Sequence, residues 1–390
     1  MLRKRWFRWL IPGLNIKRWL ALYSLGVGLL IIGISLLFNY QWLSYIEDIV
    51  LAYSYSLTGY YNYNVLILVG AVLIGIAAVL ILVGTSKVIK TIIRAVLPDP
   101  SSKVSDIIFQ NIRLDKGPKI VVIGGGTGLS NLLRGLKAHT SNLSAIVTVA
   151  DDGGSSGMLR DDLGVIPPGD IRACLISLAN TEKSMERLMK YRFKEGNLKG
   201  QSFGNLFLVA MADIYKDFML GIQETSNILA ITGKVLPVTL DNIKLFAELE
   251  NGEIIEGESN ITALNLEDEN SSRINRVFIS PKYAKPLNEV VHEIYNSDVI
   301  LIGPGSLYTS VIPNLLISEI SEALMNTKAK ICFILNVVNQ STETFDYKVV
   351  DHLNAIYKHC EGIRIDTIIV NNEIIPEDVD IKYKRKSAKR

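Results

Sequence analysis

The sequence predicts an α/β domain with a mainly parallel sheet and a small β-rich insertion, preceded by two transmembrane helices. Two runs of 20 residues near the N-terminus contain no charged side chain. Beyond residue 119, short β-branched runs alternate with segments of helical periodicity, which is the pattern of a helix-covered parallel sheet. Between about residues 233 and 276, polar and turn-rich segments favour antiparallel strands instead.

Composition excludes several classes of protein. The 390 residues include 41 basic and 39 acidic side chains, so the net charge of +2 gives no basic field for general nucleic-acid binding. The three cysteines form no CxxC pair, which indicates neither a disulfide framework nor a zinc site. The four histidines form no HExxH pair, and although His352 and His359 could share a helix face, the histidines are interpreted as surface or helix-end residues.

The two charge-free runs, Trp19–Phe38 and Val65–Gly84, predict transmembrane helices at residues 19–39 and 64–84. Twenty apolar residues in a helix cross a hydrocarbon core of about 30 Å. A cleaved signal peptide could explain the first run alone, but the run is long for that purpose and no small-residue cleavage site follows it.

Basic residues predict the orientation of these helices. Between Trp19 and Ser86 there is no lysine or arginine, whereas basic residues flank both runs at Arg3, Lys4, Arg5, Arg8, Lys17, Arg18, Lys87, Lys90 and Arg94. The positive-inside rule then places a basic N-terminus, residues 1–18, and everything after Lys87 in the cytoplasm, with an external loop at 40–63 that carries Glu47 and Asp48. We therefore expect a multi-pass protein of the cell membrane.

The cytoplasmic part begins with a proline-containing linker, residues 85–118, and ends with a basic tail, residues 376–390, that could touch anionic lipid. Between them lies a domain at 119–375. Its candidate parallel strands are KIVVI, SAIVTV, DVILI, KICFIL and RIDTIIV, and the insertion contains VLPVTL, IKLFAEL and GEIIEGES. Open sheets of this class bind ligands beyond the carboxyl ends of their strands, so the loops there should carry the chemistry.

The first such loop is IGGGTGLSNLLRGLK, in which a helix is predicted to begin near Thr127 or Gly128. Free N–H groups at a glycine-rich helix start suit a phosphate. The motif lacks the GK[ST] of a Walker A loop and the last glycine of the dinucleotide fingerprint. A tight structural turn explains the glycines equally well.

The second loop, VADDGGSSGMLRDDLGVIPPGDIR, places Asp151 and Asp152 directly after a buried strand. Adjacent carboxylates there could accept ligand hydroxyl groups or hold Mg²⁺ on a diphosphate, and Arg160 and Arg172 could contact phosphate oxygens. A solvated turn with local Asx hydrogen bonds is the alternative. A long loop so rich in glycine, carboxylate and arginine favours binding.

A third loop, LIGPGSLYTSVIPNLL, repeats the order of strand, glycine turn and helix, with Ser306, Thr309 and Ser310 near the helix start. It predicts a second anion site, although helix capping by Ser306 would account for the same residues.

Taken in order, five motifs resemble the gluconeogenesis-factor branch of the CofD-like family: GGGTGLSNLLRGLK, ADDGGSSGMLRDDLGVIPPGDIR, SFGNLF, GKVLPVTLDNIKLFAELENGEIIEGES and GPGSLYTSVIPNLL. The resemblance covers Lys119 to Asn372. Two departures concern ligand specificity: Gln201 stands where a histidine is usual, and NVVNQSTET replaces a segment that usually resembles NIMTQPGET.

The resemblance implies a Rossmann-like domain that binds a nucleotide diphosphate, namely a UDP-sugar such as UDP-N-acetylglucosamine in this branch and a guanosine nucleotide in the 2-phospho-L-lactate transferase branch. No cofactor is required, and Mg²⁺ could accompany the ligand at Asp151 and Asp152. With the loops above, it marks as ligand-binding Gly125, Gly126, Thr127, Gly128, Leu129, Asp151, Asp152, Gly153, Gly154, Ser155, Arg160, Asp170, Arg172, Asn205, Gly303, Gly305, Ser306 and Thr309.

Three functions remain open. The first is a regulatory protein without turnover that links carbon metabolism to cell-wall synthesis and cell morphogenesis through an unknown protein partner, as a homo-oligomer on the lipid bilayer. The second is a transferase of the phospholactate type, in which Asp151 or Asp152 holds Mg²⁺ and arginines stabilise developing charge. The third is an NAD-dependent oxidoreductase with Asp151 on a ribose, which the misplaced third glycine disfavours.

Overall fold

The computed structural model describes residues 16–38, 44–60, 63–96, 110, 112–181, 183–264 and 272–373. It divides into two compact units, Met1–Phe109 and Gln110–Arg390. The basic tail at 376–390, most of the basic N-terminus and residues 97–109 of the linker lie outside the described residues.

The first unit contains three helices, α1 (Ile16–Phe38), α2 (Ser44–Thr58) and α3 (Tyr63–Val96). Two segments, Lys17–Leu37 in α1 and Asn64–Thr91 in α3, are long and apolar enough to cross a membrane, with mean hydropathies of 2.3 and 3.2. The first segment covers all but the last residue of the predicted run Trp19–Phe38, the second includes Val65–Gly84, and α3 continues well beyond residue 84.

Glycines allow α1 and α3 to pack closely. A Cβ atom built on Gly70 would lie 2.9 Å from the Gly33 carbonyl oxygen, and one on Gly33 would lie 3.0 Å from the Gly70 carbonyl oxygen. Backbones that approach so closely leave no room for a side chain, which is the arrangement found where membrane helices associate through small residues.

The segment predicted as an external loop is largely helical, because α2 fills most of residues 40–63. No glycine or proline interrupts Ser44–Thr58. Leu51 of α2 is buried with Leu36 and Leu66, so one apolar face of α2 packs against the other two helices. Tertiary packing of this face stabilises the helix, which the polar, tyrosine-rich sequence alone did not predict.

The second unit is built on a six-stranded parallel sheet with the order β3-β2-β1-β7-β8-β9. Five of its strands fall on the predicted runs, and the registers pair Val122 of the central strand with Ala145 on one side and Leu301 on the other. The strands of this sheet are β1 (Ile120–Gly124), β2 (Leu143–Val147), β3 (Lys234–Pro237), β7 (Val299–Ile302), β8 (Lys330–Ile334) and β9 (Thr367–Ile369).

The strand β3 corrects one assignment. VLPVTL was predicted to belong to the antiparallel insertion, but Lys234–Pro237 pairs in parallel with β2, with Leu236 opposite Ile146. The short apolar run is buried in the main sheet like its neighbours, and a proline is tolerated there because β3 is an edge strand.

The predicted insertion is an antiparallel sheet of three strands, β4 (Lys244–Leu249), β5 (Ile254–Glu256) and β6 (Ile274–Ser280), in the order β5-β4-β6. Phe246 and Phe278 lie opposite each other in its register, and their rings stack at 5.3 Å. Such cross-strand aromatic pairs stabilise an antiparallel sheet.

Helices cover the parallel sheet. The segment between residues 151 and 172, predicted as one long loop, is mostly helical. Four of its five glycines lie at the ends of two helices, and Gly157 lies inside the first of them. His352 and His359 share one helix, as predicted, and His359 is at its end, but His352 is buried rather than at the surface. In chain order the helices are α4 (Gly126–Leu136), α5 (Gly154–Leu163), α6 (Gly169–Leu178), α7 (Lys183–Met189), α8 (Phe203–Tyr215), α9 (Phe218–Ile228), α10 (Glu258–Ile261), α11 (Asn288–Asn296), a π-helix (Leu307–Val311), α12 (Ile312–Leu315), α13 (Ser318–Asn326) and α14 (Val349–His359).

Candidate functional site

The strand order reverses between β1 and β7. The chain runs from β1 through β2 to β3 on one side and from β7 through β8 to β9 on the other. In open parallel sheets a ligand crevice lies at such a point, beyond the carboxyl ends of the two central strands. The two glycine turns predicted to bind a ligand follow these two strands and lie against each other. A Cβ atom on Gly128 of the first turn would lie 2.6 Å from the carbonyl oxygen of Pro304 in the second.

The first glycine turn begins helix α4. Gly126 has a φ of 66°, a left-handed conformation that favours glycine, and Gly125 before it has no side chain to cap the helix. The first N–H groups of α4 therefore point out of the helix end, where Thr127 and Gly128 lie. The Leu129 side chain is fully buried in the core, so this residue can offer a ligand only its main chain.

One N–H group of this turn is already bonded. Asp170, near the start of α6, accepts a hydrogen bond from the Gly126 N–H at 2.7 Å. A Cβ atom on Gly125 would lie 2.6 Å from the same carboxylate oxygen. Burial, with a further contribution from Asp151, raises the pKa of Asp170 to about 6. Asp170 thus holds the glycine turn in place.

The two aspartates that follow β2 face different partners. Asp151 accepts a hydrogen bond from the Gly153 N–H at 3.0 Å, and burial raises its pKa. Asp152 accepts one from the Ser259 N–H of the insertion at 2.8 Å. Within the described part of the chain, no three His, Cys, Asp or Glu side chains are grouped so that they could hold a metal ion.

The insertion brings a carboxyl group that the sequence motifs did not single out. Glu258 at the start of α10 lies close enough to Asp151 and Asp152 for their charges to interact, and burial is the largest cause that raises the pKa of Glu258 to about 8. The only sequence signal for it was the polar turn GEIIEGES. Glu258 lies about a hundred residues after Asp151 and Asp152 in the sequence, so no local pattern connects it with them.

Arg172 is the cation that faces these acids. Its guanidinium group donates to the Ser202 hydroxyl, and its charge interacts with Asp170 and Asp151. Burial and the nearby Arg192 lower the pKa of Arg172. A Cβ atom on Gly204 would lie 2.6 Å from the Arg172 Cδ atom, so the glycine of SFGNLF leaves room for this side chain.

Other predicted residues are engaged within the protein. Arg160 is buried and donates to the Ile243 carbonyl at 2.5 Å, so it ties α5 to the start of the insertion. Asn205 and Gln201 both bond to the Ser155 hydroxyl, at 3.1 Å and 2.7 Å. The Asn205 Oδ1 atom is buried without a hydrogen-bond partner in the described structure.

The second glycine turn, Gly303–Ser306, is followed by the π-helix, whose N–H groups are also bonded internally. The Glu343 carboxylate accepts from the Tyr308 N–H at 2.9 Å and from the Thr309 hydroxyl at 2.7 Å. The side chain of Glu343 is fully buried, which raises its pKa. The predicted second anion site thus contains a carboxylate of the protein itself.

The loop that carries Glu343 runs along this turn. Asn336 donates to the Gly305 carbonyl and Gln340 donates to the Ser306 hydroxyl, each at 2.8 Å. This is the NVVNQSTET segment, which the sequence alone marked as a departure in ligand specificity. The segment therefore occupies the Gly305 carbonyl and the Ser306 hydroxyl of the second turn.

The structure therefore gathers part of the predicted set into one crevice: Gly125 to Gly128, Asp151, Asp170, Arg172 and the turn from Gly303 to Gly305. Arg160, Ser155 and Asn205 support its walls, and Gly153 and Gly154 begin helix α5. The arrangement offers main-chain donors and one arginine for an anion, and carboxyl groups for hydroxyls.

Comparison with known proteins identifies the relatives of this chain. The family model described as 2-phospho-L-lactate transferase CofD matches residues 120–390. A gluconeogenesis factor of Bacillus subtilis is 48% identical over 273 residues, which cover 70% of this chain and 84% of the relative. A Clostridium acetobutylicum protein of the gluconeogenesis-factor group is 46% identical over 384 residues, 97% of this chain and 81% of the relative.

A solved structure has the same fold. The crystal structure of a Bacillus halodurans protein superposes with a TM-score of 0.66 at 49% identity and covers 70% of this chain and 86% of its own. A second crystal structure of that protein describes it as a member of the UPF0052 family.

Proposed function

The chain belongs to the CofD family, in its gluconeogenesis-factor branch, and we propose that it is a membrane-anchored regulatory protein that binds a UDP-sugar of the UDP-N-acetylglucosamine type. The single observation that carries this proposal is the arrangement in the crevice at the switch between β1 and β7, where Asp170 bonds to the glycine-rich helix start and its charge interacts with those of Asp151 and Arg172. The name of these relatives, gluconeogenesis factor, specifies no transferase activity, and this supports regulation over catalysis.

The groups of the crevice suit the parts of a nucleotide sugar. The N–H groups at the start of α4 and the Arg172 guanidinium would contact the diphosphate. Asp151 would accept hydrogen bonds from ligand hydroxyls. The acids Asp151, Asp170 and Glu258 oppose an anionic ligand, but burial raises the pKa of each and so lowers their negative charge. Mg²⁺ bound with the diphosphate would offset what remains.

Membrane attachment is the second part of the proposal. Only 22% and 17% of the two apolar segments is buried, which suits lipid contact better than a place in a soluble core. Lys87 and Lys90 lie in the last part of α3, beyond its charge-free run, so the binding unit would lie in the cytoplasm. Occupancy by a cell-wall precursor would then be sensed at the membrane by a protein partner, through a homo-oligomer of this chain.

Calorimetric titration of the full chain in detergent micelles tests the proposal, with UDP-N-acetylglucosamine and GDP, each with and without Mg²⁺. We expect saturable binding of the UDP-sugar without turnover, lost in Asp151→Ala and kept in Asp162→Ala, whose side chain is exposed. Binding of GDP in place of the UDP-sugar would contradict the proposal.

The second candidate function is a transferase of the 2-phospho-L-lactate type, which the description of the matching family model favours. Asp151 and Asp152 would hold Mg²⁺ on the nucleotide-diphosphate donor. Asp152 already accepts the Ser259 N–H, so it would offer the metal its remaining lone pairs. Product formation from a guanylylated phospholactate donor and a deazaflavin acceptor would establish this function instead.

A further inference from the structure

The antiparallel insertion is attached directly at the carboxyl end of β2. Asp152 accepts the Ser259 N–H, and a Cβ atom on Gly257 would lie 2.5 Å from the other Asp152 oxygen. Gly257 has a φ of 95°, which favours glycine, so the turn before α10 lies flat against the carboxylate. These contacts determine where the next side chain, that of Glu258, is presented.

Glu258 is presented to Asp151. From the position of a Cβ atom built on Gly153, Asp151 Oδ1 is 3.4 Å away and Glu258 Oε2 is 3.9 Å away, so both carboxyl groups border the same point. Among the described residues, no hydrogen bond to the Glu258 carboxyl is present. Asp151 in contrast is bonded to the Gly153 N–H. A half-buried carboxyl without a partner is costly unless a bound group or water satisfies it.

We propose that Glu258 and Asp151 together bind neighbouring hydroxyl groups on a ring of the ligand, which makes Glu258 a residue that determines specificity. This inference rests on the proposed nucleotide-sugar function and names the side chains that recognise its polyhydroxylated part. Adjacent hydroxyls each donate and accept, so they suit a pair of carboxyl groups of which one carries a proton and the other does not. The raised pKa of Glu258 marks it as the protonated member.

Two rings of a nucleotide sugar carry suitable hydroxyls, the ribose and the pyranose. Three ligands separate them: UDP-N-acetylglucosamine, UDP and 2′-deoxyuridine diphosphate. If Glu258 contacts the ribose, Glu258→Ala weakens UDP binding and removes the preference for UDP over the deoxy analogue. If Glu258 contacts the pyranose, the variant weakens only the binding of the UDP-sugar.

The measurement is calorimetric titration of the full chain and its variants in detergent micelles. We expect Glu258→Ala to weaken binding of the contacted ligand roughly tenfold, since a hydrogen bond to a ligand is lost. Glu258→Gln should stay within about threefold of the wild type, because its amide can still donate. Glu253→Ala, an exposed acid of the same insertion, is the matched control and should bind like the wild type.

Unchanged affinity of Glu258→Ala for all three ligands, beside normal binding by the wild type, would overturn this inference alone. Absence of nucleotide binding by the wild type would overturn the proposed function and this inference with it. Thermal unfolding of each variant without ligand distinguishes lost recognition from lost folding, and an affinity loss that follows a lower melting temperature in both Glu258→Ala and Glu258→Gln would also count against the inference.

Discussion

Asp152 and Ser259 are joined by a hydrogen bond of 2.8 Å across 107 residues of sequence. The bond connects the segment after β2 in the parallel sheet to helix α10, which follows β5 in the antiparallel insertion. A residue that sequence motifs mark as ligand-binding thus also fixes the position of a second structural element. Ligand affinity and the local stability of the insertion should therefore depend on the same carboxylate.

Replacement of Asp152 by alanine should loosen the insertion. The Ser259 N–H loses its acceptor, at a cost of about 1–2 kcal/mol to local stability. Amide hydrogen exchange in residues 244–262 should become faster, while exchange in β1 stays unchanged. Asp152→Asn keeps an acceptor oxygen and should have a smaller effect, and Asp162→Ala is an exposed control. Equal exchange in Asp152→Ala and wild type would show that the bond does not hold the insertion.

Replacement of Glu343 by alanine should lower the stability of the second unit. The Tyr308 N–H and the Thr309 hydroxyl would be left without their buried acceptor, and we expect a loss of about 2–4 kcal/mol in the free energy of unfolding. Glu343→Gln retains one acceptor and should lose less. Chemical denaturation of residues 110–390, followed by circular dichroism, measures both against the exposed control Glu361→Ala. A glutamate that matters only for ligand contact would leave all four curves alike.

Asp170 should make stability fall as pH rises between about 4 and 6. An aspartate ordinarily has a pKa of 3.8, and the pKa of Asp170 is about 6 in the folded chain, so in this window the folded state holds more protons than the unfolded state. The stabilisation that Asp170 contributes is fully present below pH 3.8 and is lost as the pH rises above about 6. It amounts to at most about 3 kcal/mol, since each pKa unit corresponds to about 1.4 kcal/mol.

Asp170→Asn removes this titration while its amide oxygen can still accept the Gly126 N–H. The difference in free energy of unfolding between wild type and variant, measured at pH 4, 5, 6 and 7, should therefore change in favour of the variant as the pH rises. A difference that is constant over this range would mean that Asp170 titrates normally in the folded chain.

The glycines between α1 and α3 should not tolerate side chains. A valine at Gly70 would meet the Gly33 carbonyl oxygen, so the helices must separate, at a cost of about 1–3 kcal/mol. Gly28→Val is the matched control, because a Cβ atom there meets nothing within 4 Å. In detergent micelles, thermal aggregation of Gly70→Val should begin at a lower temperature than that of Gly28→Val. The reverse order would contradict this packing.

Local patterns predicted the framework well. The five β-branched runs became parallel strands because such runs suit strands buried on both faces, and the antiparallel insertion was recognised from its polar turns. Errors occurred where tertiary contacts decide. β3 lies at the edge of the main sheet although its sequence adjoins the insertion, and α2 is helical because its apolar face packs against Leu36 and Leu66.

By itself the sequence determined the two apolar helices, the α/β class, the family and the strand ends at which the glycine turns lie, because each depends on residues close together in the chain. Only the tertiary structure decided which polar groups remain open to a ligand. Asp170 binds the Gly126 N–H across 44 residues, Glu343 binds the Tyr308 N–H across 35, and Glu258 reaches Asp151 from the insertion. Such contacts join segments that share no sequence periodicity. The sequence alone therefore does not distinguish a carboxylate that bonds within the protein, such as Asp170, from one that is proposed to contact a ligand, such as Glu258.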